Sequence, residues 1–393
     1  LRFIRDPIHQ NILLKEEDLK VMDTMPFQRL RRVKQTGMVY LVYPGAQHTR
    51  FEHSIGVRHL AELILSTLKM YGLEMNKDDE STLLSAALLH DIAHLPFSHS
   101  LSILDEDAHE RLAEEVITRS EVGDVLSSLG MNPKDVSSYI KGQGPFSSII
   151  KSEIDADRLD YLQRDAYYCG VAYGVIDSRI LMEFRPYSDK VVISEKGIRP
   201  AESVLFARYS MYNMVYGHKT VRIASSMLTK GVKDAIKRNL LSTKDILKMG
   251  DEELLSSIKE LEGLARLMAE RILNRRLYKR AHTVGWDDID PQMIKDSLDD
   301  RKRLELSGRL EEEIAELSGL SMEEIIVDIP PPPILEEANV KVIYKDHVLG
   351  LRNVSLLAEP ISNSLRRSWS IGVYTDKKYV ERVGRAASKL LEG

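Results

Sequence analysis

Apolar residues in roughly the first 280 positions recur mostly three or four apart, the spacing of one helix face. From Val57, the set Val57, Leu60, Ala61, Ile64 and Leu68 predicts a helix packed along one side. The run Leu83 to Leu89 is almost wholly apolar and follows Asp78-Asp79-Glu80-Ser81, an acidic helix start. It predicts a buried helix that ends near Pro96. Further helical stretches are expected at about 108–128, 153–168, 200–240 and 250–278. Two short segments break the pattern. Tyr40-Leu41-Val42-Tyr43 before Pro44-Gly45 reads as a small strand and turn, and Lys190-Val191-Val192-Ile193-Ser194 before Lys196-Gly197 as a hairpin arm.

The pattern shifts near residue 280. A charged helix is expected at 302–317, then the stiff extended run Pro330-Pro331-Pro332-Pro333. Val340-Lys341-Val342-Ile343-Tyr344 and Ser370-Ile371-Gly372-Val373-Tyr374 read as strands, before a last helix at 377–391. A boundary is expected at about 281, between a helical unit, 1–280, and a smaller α+β region, 281–393.

With 393 residues, 43% of them apolar, the chain can bury a sizeable core in two or three units. Its 55 basic and 60 acidic residues give a net charge of −5. That excludes a basic nucleic-acid coat and an acidic disordered tail, but not a local basic pocket. Cys169 is the only cysteine, which excludes an intrachain disulfide and a thiolate zinc cage. A cytoplasmic location is expected. No apolar run reaches the roughly 18 residues of a membrane span. The start, Leu1-Arg2-Phe3-Ile4-Arg5, has no signal-peptide pattern and no initiator Met, so the numbering is expected to begin inside a longer gene product.

Histidine is the informative residue. Five of the 11 fall between His53 and His99: His53, His59, His90, His94 and His99. His90-Asp91 closes the apolar helix, and His94 lies one turn beyond His90, so both can face one point. His53 shares a helix face with Val57, Leu60 and Ile64. Imidazole and carboxylate suit Mn, Fe, Zn, Ni or Mg. Each residue taken singly reads as a satisfied core histidine or a capping aspartate. Asp157, Tyr161, Arg164, Asp165 and Tyr168 share one face, either of a solvated salt-bridged helix or of a site. Arg208, Tyr212, Tyr216 and Lys219 form a stripe of cations and rings that can clamp phosphates and stack on a sugar or base, or merely cover an amphipathic helix.

The ordered set His53, His90-Asp91, Asp157 resembles the metal centre of the HD-domain phosphohydrolases. The segments Asp6-Pro7-Ile8-His9, Phe27-Gln28-Arg29-Leu30-Arg31, Arg50-Phe51-Glu52-His53-Ser54-Ile55-Gly56-Val57, His90 to His99, Asp155 to Tyr161 and Tyr216-Gly217-His218-Lys219 resemble its dNTP triphosphohydrolase branch. The resemblance covers about residues 2–225, more weakly to 280. It implies a mainly α fold: a helical HD domain with small β-hairpins, plus the α+β C-terminal region. It implies one divalent ion per site, held by His53, His90, Asp91 and Asp157, and hydrolysis of deoxynucleoside triphosphates to deoxynucleoside and triphosphate. His94, His99 and His109 would stand beside the scissile phosphate. Arg50, Arg158, Arg208 and Lys219 would hold the triphosphate. Tyr161 would stack on the sugar, with Tyr212 alongside, and Gln35 and Asp165 would bind the 3′-hydroxyl. Tyr216 would crowd the 2′ position. Asp23 and Arg31 match positions that bind a guanine nucleotide effector at a subunit interface, which implies a homo-oligomer, dimer or tetramer.

The chain departs from that pattern at Ser102, where an acidic residue is usual, and at Thr36, Gly217 and Arg5. Two other readings stay open. One is an HD phosphohydrolase acting on nucleoside monophosphates, guanosine tetraphosphate or nucleic-acid ends. The other is a nucleotide-binding regulator without catalysis.

Overall fold

A computed structural model describes residues 2–98, 100–101 and 108–392, the side chains of 108–110 excepted. The fold is mainly α. Strands β1 (Arg2–Asp6) and β2 (Gln10–Leu14) form an antiparallel hairpin with Phe3 opposite Leu13. Two helices then build the centre. The first, Arg50–Met70, buries His53, Val57, Leu60, Ala61, Ile64 and Leu68. The second, Lys77–Leu89, starts at Asn76, whose side chain accepts from the Asp79 amide, and buries every residue from Thr82 to Leu89. It is apolar all round because it is enclosed all round.

The helix Ala156–Cys169 packs across Arg50–Met70. Asp155 caps its start by accepting from the Arg158 amide, and Gly170, at φ +68°, ends it in the left-handed conformation. The long stretch expected at 200–240 is divided. Helix Ile198–Met211 runs into a π turn, Tyr212–Tyr216, and a new helix, Lys219–Lys237, begins after Gly217 with His218 as its cap. The stretches 108–128 and 250–278 are likewise divided, at Ser120 and around Gly263.

One expectation is overturned. Residues 40–43 form no strand: Gly37–Leu41 is a 3-10 turn, extended by Val42 and Tyr43 amides that both donate to the Val39 carbonyl. Met38 and Val39 are both buried, so neighbouring side chains serve the core together, as strand alternation does not allow.

Beyond the hairpin β3 (Phe184–Tyr187) and β4 (Lys190–Ile193), β5 (Lys279–Gly285) starts the C-terminal region. There β6 (Ile325–Asp328) and β9 (Ser370–Thr375) join β5 in an antiparallel sheet ordered β5-β9-β6. Helices Asp300–Ser318 and Val380–Leu391 cover it around the buried Trp369. Between them the chain returns to the first unit. Strands β7 (Lys341–Tyr344) and β8 (His347–Gly350) extend the β3–β4 hairpin, with β7 parallel to β4, and Leu335, Ala338, Val340 and Val342 enter the helical core. Arg222 ties the two regions by pairing with Asp328 at 2.7 Å. No described helix is long and apolar enough to cross a membrane.

Candidate active site

Three elements converge. The Arg50–Met70 helix supplies His53, the end of Lys77–Leu89 supplies His90 and Asp91, and Ala156–Cys169 supplies Asp157. His53 Nε2 lies 3.2 Å from His90 Nε2, 3.0 Å from Asp157 Oδ1 and 3.6 Å from Asp91 Oδ2. His53, His90 and Asp91 form a group able to hold a metal ion. Hydrogen bonds fix which nitrogens face it. His90 Nδ1 lies 2.9 Å from the Ala87 carbonyl, which can only accept, so Nδ1 carries the proton. His53 Nδ1 lies 2.8 Å from Asp160 Oδ2 and donates to it. Both Nε2 lone pairs are left for a cation.

The electrostatics agree. Burial alone would lower the His53 pKa, but its bonds to Asp157 and Asp160 raise it to about 10. Burial works against Asp91 and Asp157, yet Arg50 and the histidines hold Asp91, and His53 and His90 hold Asp157, well below the ordinary carboxylate range. Groups that together stabilise a proton on imidazole stabilise a divalent cation in its place. Donor chemistry and placement therefore fit a divalent metal.

A supporting shell surrounds these ligands. Asp160 is fully buried and accepts from His53, from His9 at 2.6 Å, and from Arg164 through two nitrogens. Arg164 also reaches Asp6 at 2.7 Å, so the β1–β2 turn is wired through Asp160 to His53. Nothing in the sequence singled out Asp6, His9 or Asp160 beyond their motifs; for Asp160 the one signal is its spacing from Asp157, which puts two acids on one helical turn.

The remaining expected residues fall as follows. Arg50 is buried and donates to Asp91 and Ser98. His94 Nε2 is 3.0 Å from Asp91 Oδ1. His99 and Ser102 lie outside the described residues, as does the His109 side chain. Arg158 bonds Asp155, the Ser152 carbonyl, Glu336 and Glu337. Arg208 sits about 6 Å from the rings of Tyr161, Tyr212 and Tyr216. Tyr216 donates to Asp165 Oδ2 at 2.6 Å. Burial and then Asp165 raise that hydroxyl well above its ordinary pKa, so it stays a donor. Asp165 Oδ1 meets His48, missed from the sequence, at 2.7 Å. Buried Gln35 Oε1, Thr36 Oγ1 and His48 Nδ1 have no hydrogen-bond partner among the described residues. The face carrying Asp157, Arg164 and Asp165 is thus not a solvated surface. The break at Gly217 puts Lys219, exposed, at the start of a new helix. Asp23, exposed, ends the helix Glu16–Met22, and Arg31, also exposed, lies 3.5 Å over the Phe51 ring. A cleft of about 960 Å³ opens beside Asp157 and Arg158.

Residues 50–165 match the HD domain, and residues 176–392 match the HD associated region. The chain belongs to the HD-domain family. It is a metal-dependent phosphohydrolase. An uncharacterized protein of Methanocaldococcus jannaschii is 38% identical over 98% of this chain and 81% of its own length. The Dictyostelium discoideum deoxynucleoside triphosphate triphosphohydrolase SAMHD1 homolog is 31% identical over 71% of this chain, but only 59% of its own length. The chain thus spans little more than half of that relative. A hypothetical protein from Aquifex aeolicus has the same fold, with a TM-score of 0.76, 31% identity and 99% of both chains covered.

Proposed function

We propose that this HD-domain protein hydrolyses deoxynucleoside triphosphates to deoxynucleoside and inorganic triphosphate. One observation carries the reading: the His53–His90–Asp91–Asp157 cluster is continuous, along one helix, with Arg158, Tyr161 and Asp165, and Arg208 and Tyr216 close over that helix. Metal ligands, phosphate-binding cations and sugar-sized rings therefore lie in sequence along one path. The named SAMHD1 homolog, at 31% identity, supports the same substrate class.

A divalent ion held by His53, His90, Asp91 and Asp157 supplies Lewis-acid chemistry at the phosphoryl group when bound. The chain's own residues do the rest. Arg158 and Arg208 hold the phosphate tail, with exposed Lys219 as a further cation at the mouth. Arg50, locked on Asp91, sets the ligand and the charge behind the phosphate. His94 stands at Asp91, beside the ligands, to move a proton. Water adds at the α-phosphorus, the bond to the 5′-oxygen breaks, and that oxygen takes up a proton. Tyr161 packs on the sugar, flanked by Tyr212. Gln35, whose Oε1 has no partner among the described residues, and Asp165 bind the 3′-hydroxyl, while Tyr216 fills the 2′ side. Asp23 and Arg31, both exposed, take a guanine nucleotide between subunits of a homo-oligomer.

The test incubates purified protein with Mn or Mg and a panel of dNTPs, NTPs, nucleoside monophosphates and single-stranded DNA, and resolves the products. Intact triphosphate from dNTPs, lost in Asp157→Ala, is the expected result. Orthophosphate or diphosphate alone, or turnover of monophosphates only, refutes the proposal.

A further inference from the structure

The C-terminal region places an acid in the middle of the phosphate-binding cations. Glu337 lies in the turn Glu336–Asn339, between the four prolines and β7. It is 1% exposed. Its Oε1 lies 3.0 Å from Arg158 Nε and 3.7 Å from Arg208 Nε. Its Oε2 is buried with no hydrogen-bond partner among the described residues. Glu336, on the rim, takes a second Arg158 nitrogen, and Asp155 with the Ser152 carbonyl takes the third. All three guanidinium nitrogens of Arg158 are therefore engaged. A polyphosphate entering beside Arg158 and Arg208 meets guanidinium groups already engaged by Glu336 and Glu337. Flanking Leu335, Ala338 and Val340 are buried in the core, so the backbone is anchored and the carboxylates are what can give way.

We propose that Glu337 is a specificity-determining residue of the phosphate pocket. It is an internal counter-anion that only a phosphate chain long enough to engage both arginines displaces. This rests on Arg158 and Arg208 being the cations that hold the substrate's phosphates. A single phosphate at the metal ligands needs neither arginine and leaves Glu337 in place. A triphosphate replaces the carboxylate on both arginines. Glu337 thus weakens binding of every triphosphate and lowers the advantage of long phosphate chains over short ones. Because the turn belongs to the segment joining the two regions, substrate binding is coupled to the C-terminal region.

Calorimetric titration with inorganic tripolyphosphate and with orthophosphate, in excess Mg, tests this on wild type, Glu337→Gln and Glu336→Gln. Removing a charge-assisted competitor raises tripolyphosphate affinity about tenfold in Glu337→Gln, with orthophosphate affinity within about twofold of wild type. Glu336→Gln, on the exposed rim, moves tripolyphosphate affinity the same way by about two- to threefold, and it carries the test alone if Glu337→Gln fails to fold. A merely structural Glu337 predicts the opposite sign, since losing it would loosen the arginines. If wild type hydrolyses dNTPs while neither variant gains tripolyphosphate affinity, the inference falls and the proposed function stands. If wild type neither binds tripolyphosphate nor hydrolyses dNTPs, both fall.

Discussion

Replacing Gly56 with alanine should destabilise the protein and loosen its metal, although alanine is the better helix former. Gly56 lies in the interior of the 21-residue helix Arg50–Met70, where alanine gains about 0.5–1 kcal/mol over glycine. Against this, a Cβ at Gly56 would stand 1.9 Å from Asp160 Oδ1 and 2.6 Å from Arg164 Nη2. Neither group is a free side-chain end. Asp160 is held by His9, His53 and Arg164, and Arg164 by Asp6. Overpacking costs about 1–3 kcal/mol where neighbours can shift, and breaking a buried ion pair about 3–5 kcal/mol. Relief here requires displacing that pair, so the net loss is about 2–4 kcal/mol after the helix gain. Moving Asp160 also releases the His53 ring, and loss of such a support weakens metal binding about 10–100-fold. Thermal unfolding with and without Mn, with calorimetric Mn titration, reads both effects. A thermal midpoint at or above wild type would show that Gly56 is not making room for Asp160, and the reasoning would fail.

Asp160→Asn keeps the shape but lets only one oxygen accept, so Mn affinity should fall about 10–100-fold while the helical circular dichroism remains; affinity within twofold of wild type would remove Asp160 from the support of His53. Sedimentation of wild type and Asp23→Ala, with and without GTP, should show a dimer or tetramer that GTP favours only in wild type; a monomer throughout would defeat the assembly, and indifference to GTP would defeat the control.

The helices were legible because burial follows periodicity: Val57, Leu60, Ile64 and the run from Leu83 to Leu89 lie in the core, as their spacing requires. The pieces of the long stretches were not. The π turn at Tyr212–Tyr216 and the break at Gly217 interrupt the helix without interrupting the apolar rhythm of the sequence. Residues 40–43 misled because a short apolar run has the same composition in a 3-10 turn and in a strand. The resemblance alone grouped His53 and Asp157 with His90-Asp91; that the His-Asp pair needs compensation could be read, because polar groups ending an apolar helix are costly without it. What compensates them could not. Asp160, His9 and Glu337 act through partners 107, 151 and 179 positions away, a separation that no local pattern encodes.

Those distant partners also say what charge the centre is built for. Among the described residues, Asp6, Asp91, Asp157 and Asp160 are four carboxylates joined through direct contacts, and Arg50 and Arg164 are the guanidiniums within the same network. Two negative charges remain when the histidines are neutral. Isolated, they would be expensive to keep out of water. The metal-free protein has one remedy, protonation of imidazoles, and both His53 and His90 have raised pKa values once burial is outweighed by their carboxylate neighbours. A divalent cation is the other, and it balances the same two charges with both imidazoles neutral and both Nε2 lone pairs in use. A monovalent ion would leave one charge over, and a trivalent ion would overshoot. The charge count of this network favours a divalent cation, and Arg50 and Arg164 set that count together with the four carboxylates.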